Sequence, residues 1–128
     1  MNNKLRLFQW SVGACDALTG ILLVAAPQAT LSLMGMEKSA EEAVPFSFVG
    51  IFVMAVGLSY FLPRETDLAG WKMQWKVTAL MRLFVALFLL GNITLAGWDS
   101  QWLTVLFTDL IVGSVQFLGL KKGWLEKP

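Results

Sequence analysis

The sequence predicts an all-α membrane protein, a bundle of four transmembrane helices with the N- and C-termini cytoplasmic. Three observations carry that reading. The 128 residues are 56% hydrophobic and only 15% charged, against about 45 to 50% apolar and about 25% charged in soluble domains. Four apolar runs are each long enough to cross a hydrocarbon core. The cations fall in alternate connecting segments, as they do around spans of fixed orientation. A single membrane domain over residues 1–128 is expected, with little mass outside the bilayer.

The first run, 7–26, has 20 residues, which at about 1.5 Å per residue cover about 30 Å. Pro27 ends it. Its outline suggests a secretory signal, and Val12 to Cys15 reads VGAC, the form of a lipoprotein cleavage box. The apolar stretch is too long for a signal core, and the chain beyond Cys15 stays apolar where a lipoprotein needs a hydrophilic tether. A retained helix is therefore expected. Residues 27–43 form the long connection, in which Leu31, Leu33, Met34 and Met36 stand among small polar residues. This pattern fits either a short amphipathic segment on the outer surface or a loop capped at Gly35.

The second run, 44–62, follows Glu41 and Glu42, whose charge suits a helix N-terminus, and Pro45 is expected in its first turn. Pro63 closes it. The third run covers 77–96 and stops at Gly97; the fourth covers 101–120 and precedes Lys121 and Lys122. The link between them is so short that these two helices must be antiparallel neighbours.

Orientation follows from the positive charges. Lys4, Arg6, Arg64, Lys72, Lys76, Lys121, Lys122 and Lys127 fall on one side, and only Lys38 on the other, among Glu37, Glu41, Glu42 and Asp99. Eight cations against one place both termini in the cytoplasm and the chain in the inner, plasma membrane as a multi-pass protein. Several of the six tryptophans lie near helix ends, where an interfacial belt would put them.

The same composition excludes several classes of chemistry. There is no histidine and one cysteine, Cys15, so an internal disulfide, a His-ligated haem, a Cys/His zinc site and an imidazole proton shuttle are all ruled out. No cofactor or metal is expected. Cys15 is expected as a small buried hydrophobe. With a net charge of +1 and no basic stripe, nucleic acid is not an expected partner.

Chemistry, if there is any, belongs to the charged residues inside the runs: Asp16, Arg82 and Asp109. Gln9, Gly13, Asp16 and Gly20 repeat at three- and four-residue spacing, and so do Asp109, Gly113, Gln116 and Leu120, giving each helix one polar face. Counted from the cytoplasmic side of antiparallel helices, Gln9 matches Gln116, Gly13 matches Gly113, and Asp16 matches Asp109. Arg82 enters from the same side and either snorkels to the headgroups or reaches the aspartates. An ion in the bilayer centre costs about 2.5 to 3.5 kcal/mol on insertion scales, so the trio is expected to face inward and to share one proton. Gly50 and Gly57, with Gly13, Gly20 and Gly113, are expected to let helices approach closely. Asn92 and Thr94 are expected to bond to a neighbouring helix.

The segment GILLVAAPQATLSLMGM followed by PFSFVGIFVMAVGLSYFLP, a helix, Pro, Leu-rich turn, Gly, helix pattern, resembles small bacterial four-helix membrane proteins of the DoxX-like kind. The resemblance implies the same architecture over most of the chain. Many proteins of that kind have no assigned activity, and those tied to redox work lean on partners; the single cysteine here departs from a thiol-redox pattern.

Three roles stay open for the polar cluster: an ion-pair lock between helices, a site for a polar ligand or lipid headgroup, and a route for protons or ions. The chain is expected to be non-enzymatic, since it holds no Ser/His pair, phosphate-cradling loop or paired acidic motif for Mg²⁺. A binding or accessory protein that associates with membrane lipid, with itself as a homo-oligomer, or with a larger membrane complex is the leading expectation. A small-molecule or proton-coupled transporter is the alternative.

Overall fold

The helix boundaries follow from local caps, and several lie outside the apolar runs. In the computed structural model, which describes residues 2–126, the Asn2 side chain accepts from the Leu5 amide at 2.9 Å and starts α1, Asn3–Ala25. That cap satisfies a donor which a helix N-terminus leaves open. The helix therefore takes in Lys4 and Arg6, ahead of the expected start at Leu7.

Pro27 ends α1 and opens a second helix, α2, Pro27–Leu33. The Thr30 hydroxyl lies 2.7 Å from the Ala26 carbonyl and 2.9 Å from the Leu22 carbonyl, tying α2 back onto the last turn of α1. Gly35, at φ 83°, then stops α2. The Met36 amide donates to Leu31 at 2.8 Å and the Gly35 amide to Ser32 at 3.0 Å, the bonding of a Schellman cap. Leu31 and Met36 are buried while Leu33 is exposed. The 27–43 connection is thus a short helix with a glycine cap, and it keeps half of its apolar residues away from the surface.

Ser39 caps α3, Ala40–Ser59, with a capping box: its hydroxyl accepts from the Glu42 amide at 3.2 Å, and Glu42 accepts from the Ser39 amide at 2.8 Å. Because this cap starts the helix at Ala40, Pro45 sits in the second turn rather than the first, and the helix forgoes one i→i−4 bond there. At the other end, bonds from Tyr60 to Gly57 and from Phe61 to Leu58 tighten the last turn before Pro63.

The longest helix, α4, is Leu68–Leu95, started by Asp67 accepting from the Gly70 amide at 2.8 Å. It begins well before the expected residue 77, since Trp71, Gln74 and Trp75 continue its buried face through the lysines. Its 28 residues span about 42 Å, longer than the hydrocarbon core. Gly97, at φ 68°, ends it, and α5 follows as Trp102–Lys121. Gly123, at φ 65°, then turns the chain into a short 3₁₀ segment, Trp124–Glu126. Glu126 there pairs with Lys72 of α4. Lys127, counted among the cytoplasmic cations, lies outside the described residues.

Among the described residues there is no strand. Four helices, α1, α3, α4 and α5, are long and apolar enough to cross a membrane. The chain divides into two compact units, Asn2–Arg64 and 65–126.

In the first unit α1 and α3 are antiparallel and in backbone contact. A Cβ on Gly20 would come within 2.2 Å of the Met54 nitrogen, and one on Gly57 within 2.2 Å of the Ala17 nitrogen. Gly13 faces Tyr60 and Phe61, and Gly50 faces Leu23. Descending α1 from Gly20 to Gly13 thus climbs α3 from Gly50 to Tyr60. Small residues let two helices touch in this way where no hydrophobic drive separates a leucine from a lipid tail.

In the second unit α4 and α5 form an antiparallel hairpin, with Asp109 opposite Arg82 and Gly119 opposite Trp75. The side chains left exposed on the four long helices include Leu7, Leu18, Phe48, Phe52, Phe84, Leu87, Phe88 and Ile111, while Gln9, Thr78, Arg82 and Gln116 are buried. This inverts a water-soluble protein's arrangement.

Gly20→Leu and Gly57→Leu are expected to pry α1 from α3 and lower stability by at least about 1 to 3 kcal/mol. Gly91→Ala, where a Cβ meets nothing within 4 Å, should be neutral or stabilising by up to about 1 kcal/mol. Thermal unfolding of the detergent-purified variants measures both, and equal losses at all three positions would refute glycine-mediated contact.

Candidate functional site in the α4–α5 hairpin

Two faces at helical spacing meet in this unit. On α5, Asp109, Gly113, Gln116 and Gly119 share one face; on α4, Trp75, Thr78, Ala79 and Arg82 do. The Arg82 guanidinium donates to Asp109 Oδ1 at 2.6 Å. Their side chains are 6% and 14% exposed, so this pair is largely withdrawn from its surroundings. Gly113 lies beside it, its Cβ direction 3.4 Å from the Arg82 Cβ, which lets α5 close over the arginine stem.

One turn further, the Gln116 amide donates to the Thr78 hydroxyl at 3.0 Å, and that hydroxyl donates to the Gln74 carbonyl at 2.8 Å. Beyond them Gly119 accommodates the Trp75 ring, 2.6 Å from where its Cβ would stand. The hairpin is therefore joined by an ion pair, then a hydrogen-bonded relay, then an aromatic plate in a glycine notch.

Charge pairing decides what Arg82 can do. A buried guanidinium has strongly directional donors and loses most of its hydration, so a carboxylate at hydrogen-bond distance is the partner that holds it. Arg82 points across to Asp109 and does not snorkel away.

On the other side of the ion pair an apolar cleft of about 170 Å³ opens between the helices, lined by Leu83, Ala86, Leu87, Leu90, Leu106 and Leu110. It begins one residue from Arg82 on α4 and one residue from Asp109 on α5. The lining offers no polar side chain, so its chemistry is that of a hydrocarbon contact.

The other sequence-nominated residues belong to the Asn2–Arg64 unit. Asp16 is half-buried on α1, next to Ala17 of the α1–α3 contact. Gln9 is fully buried, and its amide donates to the Tyr60 carbonyl at 3.1 Å, satisfying the end of α3. Cys15 is exposed on α1, not buried as expected, because the buried face runs through Gly13, Ala17 and Gly20. Asn92 and Thr94 bond back to Phe88 at 2.8 Å and Leu90 at 2.6 Å on their own helix, not to a neighbour. Among the described residues no three His, Cys, Asp or Glu side chains gather as metal ligands would.

Sequence reasoning missed Thr78, Gln74, Trp75 and Gly119. Gln74, Thr78 and Arg82 stand four residues apart on one face, a signal that was available but ran past the expected start of the helix. Gly119, rather than half-buried Leu120, continues the α5 face because the Trp75 ring needs the space.

No family model, curated protein or solved structure matches the chain.

Arg82→Gln and Asp109→Asn are each expected to cost about 3 to 5 kcal/mol, since each breaks a largely buried charge pair. The double variant should lose clearly less than the sum, because the two share one interaction. Unfolding of all four proteins in the same detergent tests this, and strict additivity would mean that the pair does not couple α4 to α5.

Proposed function

We propose that this chain is a multi-pass protein of the inner, plasma membrane, with both termini cytoplasmic, acting as a non-enzymatic binding or accessory component. The observation that carries the reading is the Arg82–Asp109 pair: charges in the middle of two apolar helices pair across the helix contact, beside a cleft with only apolar lining. An arrangement of this kind suits holding helices in register and presenting hydrocarbon contact.

Each unit supports the orientation separately. The start of α1 and the residues after α3 carry Lys4, Arg6 and Arg64, whereas the connection between them carries Lys38 with Glu37, Glu41 and Glu42. In the other unit the start of α4 and the end of α5 carry the lysines, and the connection carries Asp99. The resemblance to DoxX-like proteins fits an accessory role, and the wide apolar surface suits membrane lipid, a second copy or a larger membrane complex as partner. Transport needs hydrated polar groups in series along a path, and the apolar cleft favours a lipid tail over an ion.

In a Cys15→Ala background, Lys38→Cys is expected to react with a membrane-impermeant maleimide on intact cells, and Arg64→Cys only after permeabilisation. The reverse pattern would invert the topology. Native mass spectrometry of the purified chain is expected to show bound lipid or an oligomer; a bare monomer that takes up protons in vesicles would replace this reading with transport.

A further inference from the structure

The α4–α5 hairpin gathers its cations at one end. The start of α4 and the end of α5 bring Lys72, Lys76, Lys121 and Lys122, while the connection at the opposite end, 96–101, has Asp99 and no cation. Three carboxylates share the cationic end, Glu65, Asp67 and Glu126. Asp67 accepts from the Gly70 amide at 2.8 Å, and Glu126 pairs with Lys72. Lys76, Lys121 and Lys122 are exposed.

Tryptophans stand among these lysines. Trp75 is buried in the Gly119 notch, and Trp124, half-buried, follows the turn at Gly123. Trp71 is 5% exposed, and its indole N–H is buried with no acceptor among the described residues. An indole N–H withdrawn from water normally has an acceptor.

We propose that this end of the hairpin binds the phosphate of an anionic phospholipid, with Lys76, Lys121 and Lys122 as the cationic groups. The proposal rests on the membrane reading above. Lysine supplies three donors and no acceptor, and its stem lies along apolar surface while the ammonium stays at headgroup depth. A zwitterionic headgroup cancels its own phosphate charge, so the lysine end selects lipids with net negative charge. Glu126 is held by Lys72, which leaves the three exposed ammoniums to an external anion.

The test is reconstitution of the full chain in vesicles of phosphatidylethanolamine and phosphatidylglycerol in equal parts, followed by native mass spectrometry of retained lipid. Wild type is expected to retain phosphatidylglycerol preferentially. The variant Lys76→Gln/Lys121→Gln/Lys122→Gln should lose that preference by at least about tenfold, given the contribution of each lysine near an anionic surface. Lys38→Gln should keep it.

Equal retention of both lipids by wild type, or wild-type selectivity in the triple variant, would overturn the assignment. Displacement of the lipid by millimolar inorganic phosphate would also overturn it, making the site one for a soluble anion. Alkaline extraction of the same samples separates the two readings. A triple variant that stays in the membrane fraction without selectivity supports the site, whereas wild type released into the supernatant removes the membrane reading and the site with it.

Discussion

Every charged or amide side chain placed inside an apolar helix must find its partner within the protein, because a hydrocarbon surrounding offers none. That constraint explains which residues are buried. Arg82 and Asp109 take each other, Gln116 takes Thr78, and Gln9 takes the Tyr60 carbonyl. The leucines and phenylalanines, which need no partner, are free to face outward. Between α4 and α5, packing then follows from polarity: the polar faces become the contact faces.

The two hairpins solve the same problem by different chemistry. Between α1 and α3 the backbones touch at Gly20 and Gly57, so the contact is won by removing side chains. Between α4 and α5 larger groups interlock, with an ion pair at one level and Trp75 seated on Gly119 at another. The first contact is dense and uniform. The second is specific at a few points and leaves the apolar cleft at Leu83 and Leu106 where no polar rung continues. It is this open apolar space that the proposed binding or accessory role draws on.

Helix ends repeat the theme with backbone groups. Asn2, Ser39 and Asp67 each accept from an amide in the first turn, and Gly35, Gly97 and Gly123 each supply the left-handed conformation that stops a helix. These caps moved the boundaries away from the edges of the apolar runs. Hydropathy locates the segment that tolerates hydrocarbon, whereas the cap locates the first satisfied amide; Lys4, Arg6, Lys72 and Lys76 lie between the two. The same difference put Pro45 in a second turn and hid Gln74 from the polar face of α4.

Composition and periodicity by themselves determined the helical class, the four apolar spans, the inward faces of Gly13, Gly20, Gly113 and Gln116, and the nomination of Arg82 and Asp109. Those properties depend on the transfer of side chains out of water and on the helical repeat, both of which are local to a segment. Tertiary structure decided that Arg82 reaches across to Asp109 at 2.6 Å, that Thr78 receives the Gln116 amide, that Cys15 turns outward, and that Gly119 yields space to Trp75. Each of those depends on how far two helices are rotated and how closely they approach, and this is set by the shapes of both surfaces together.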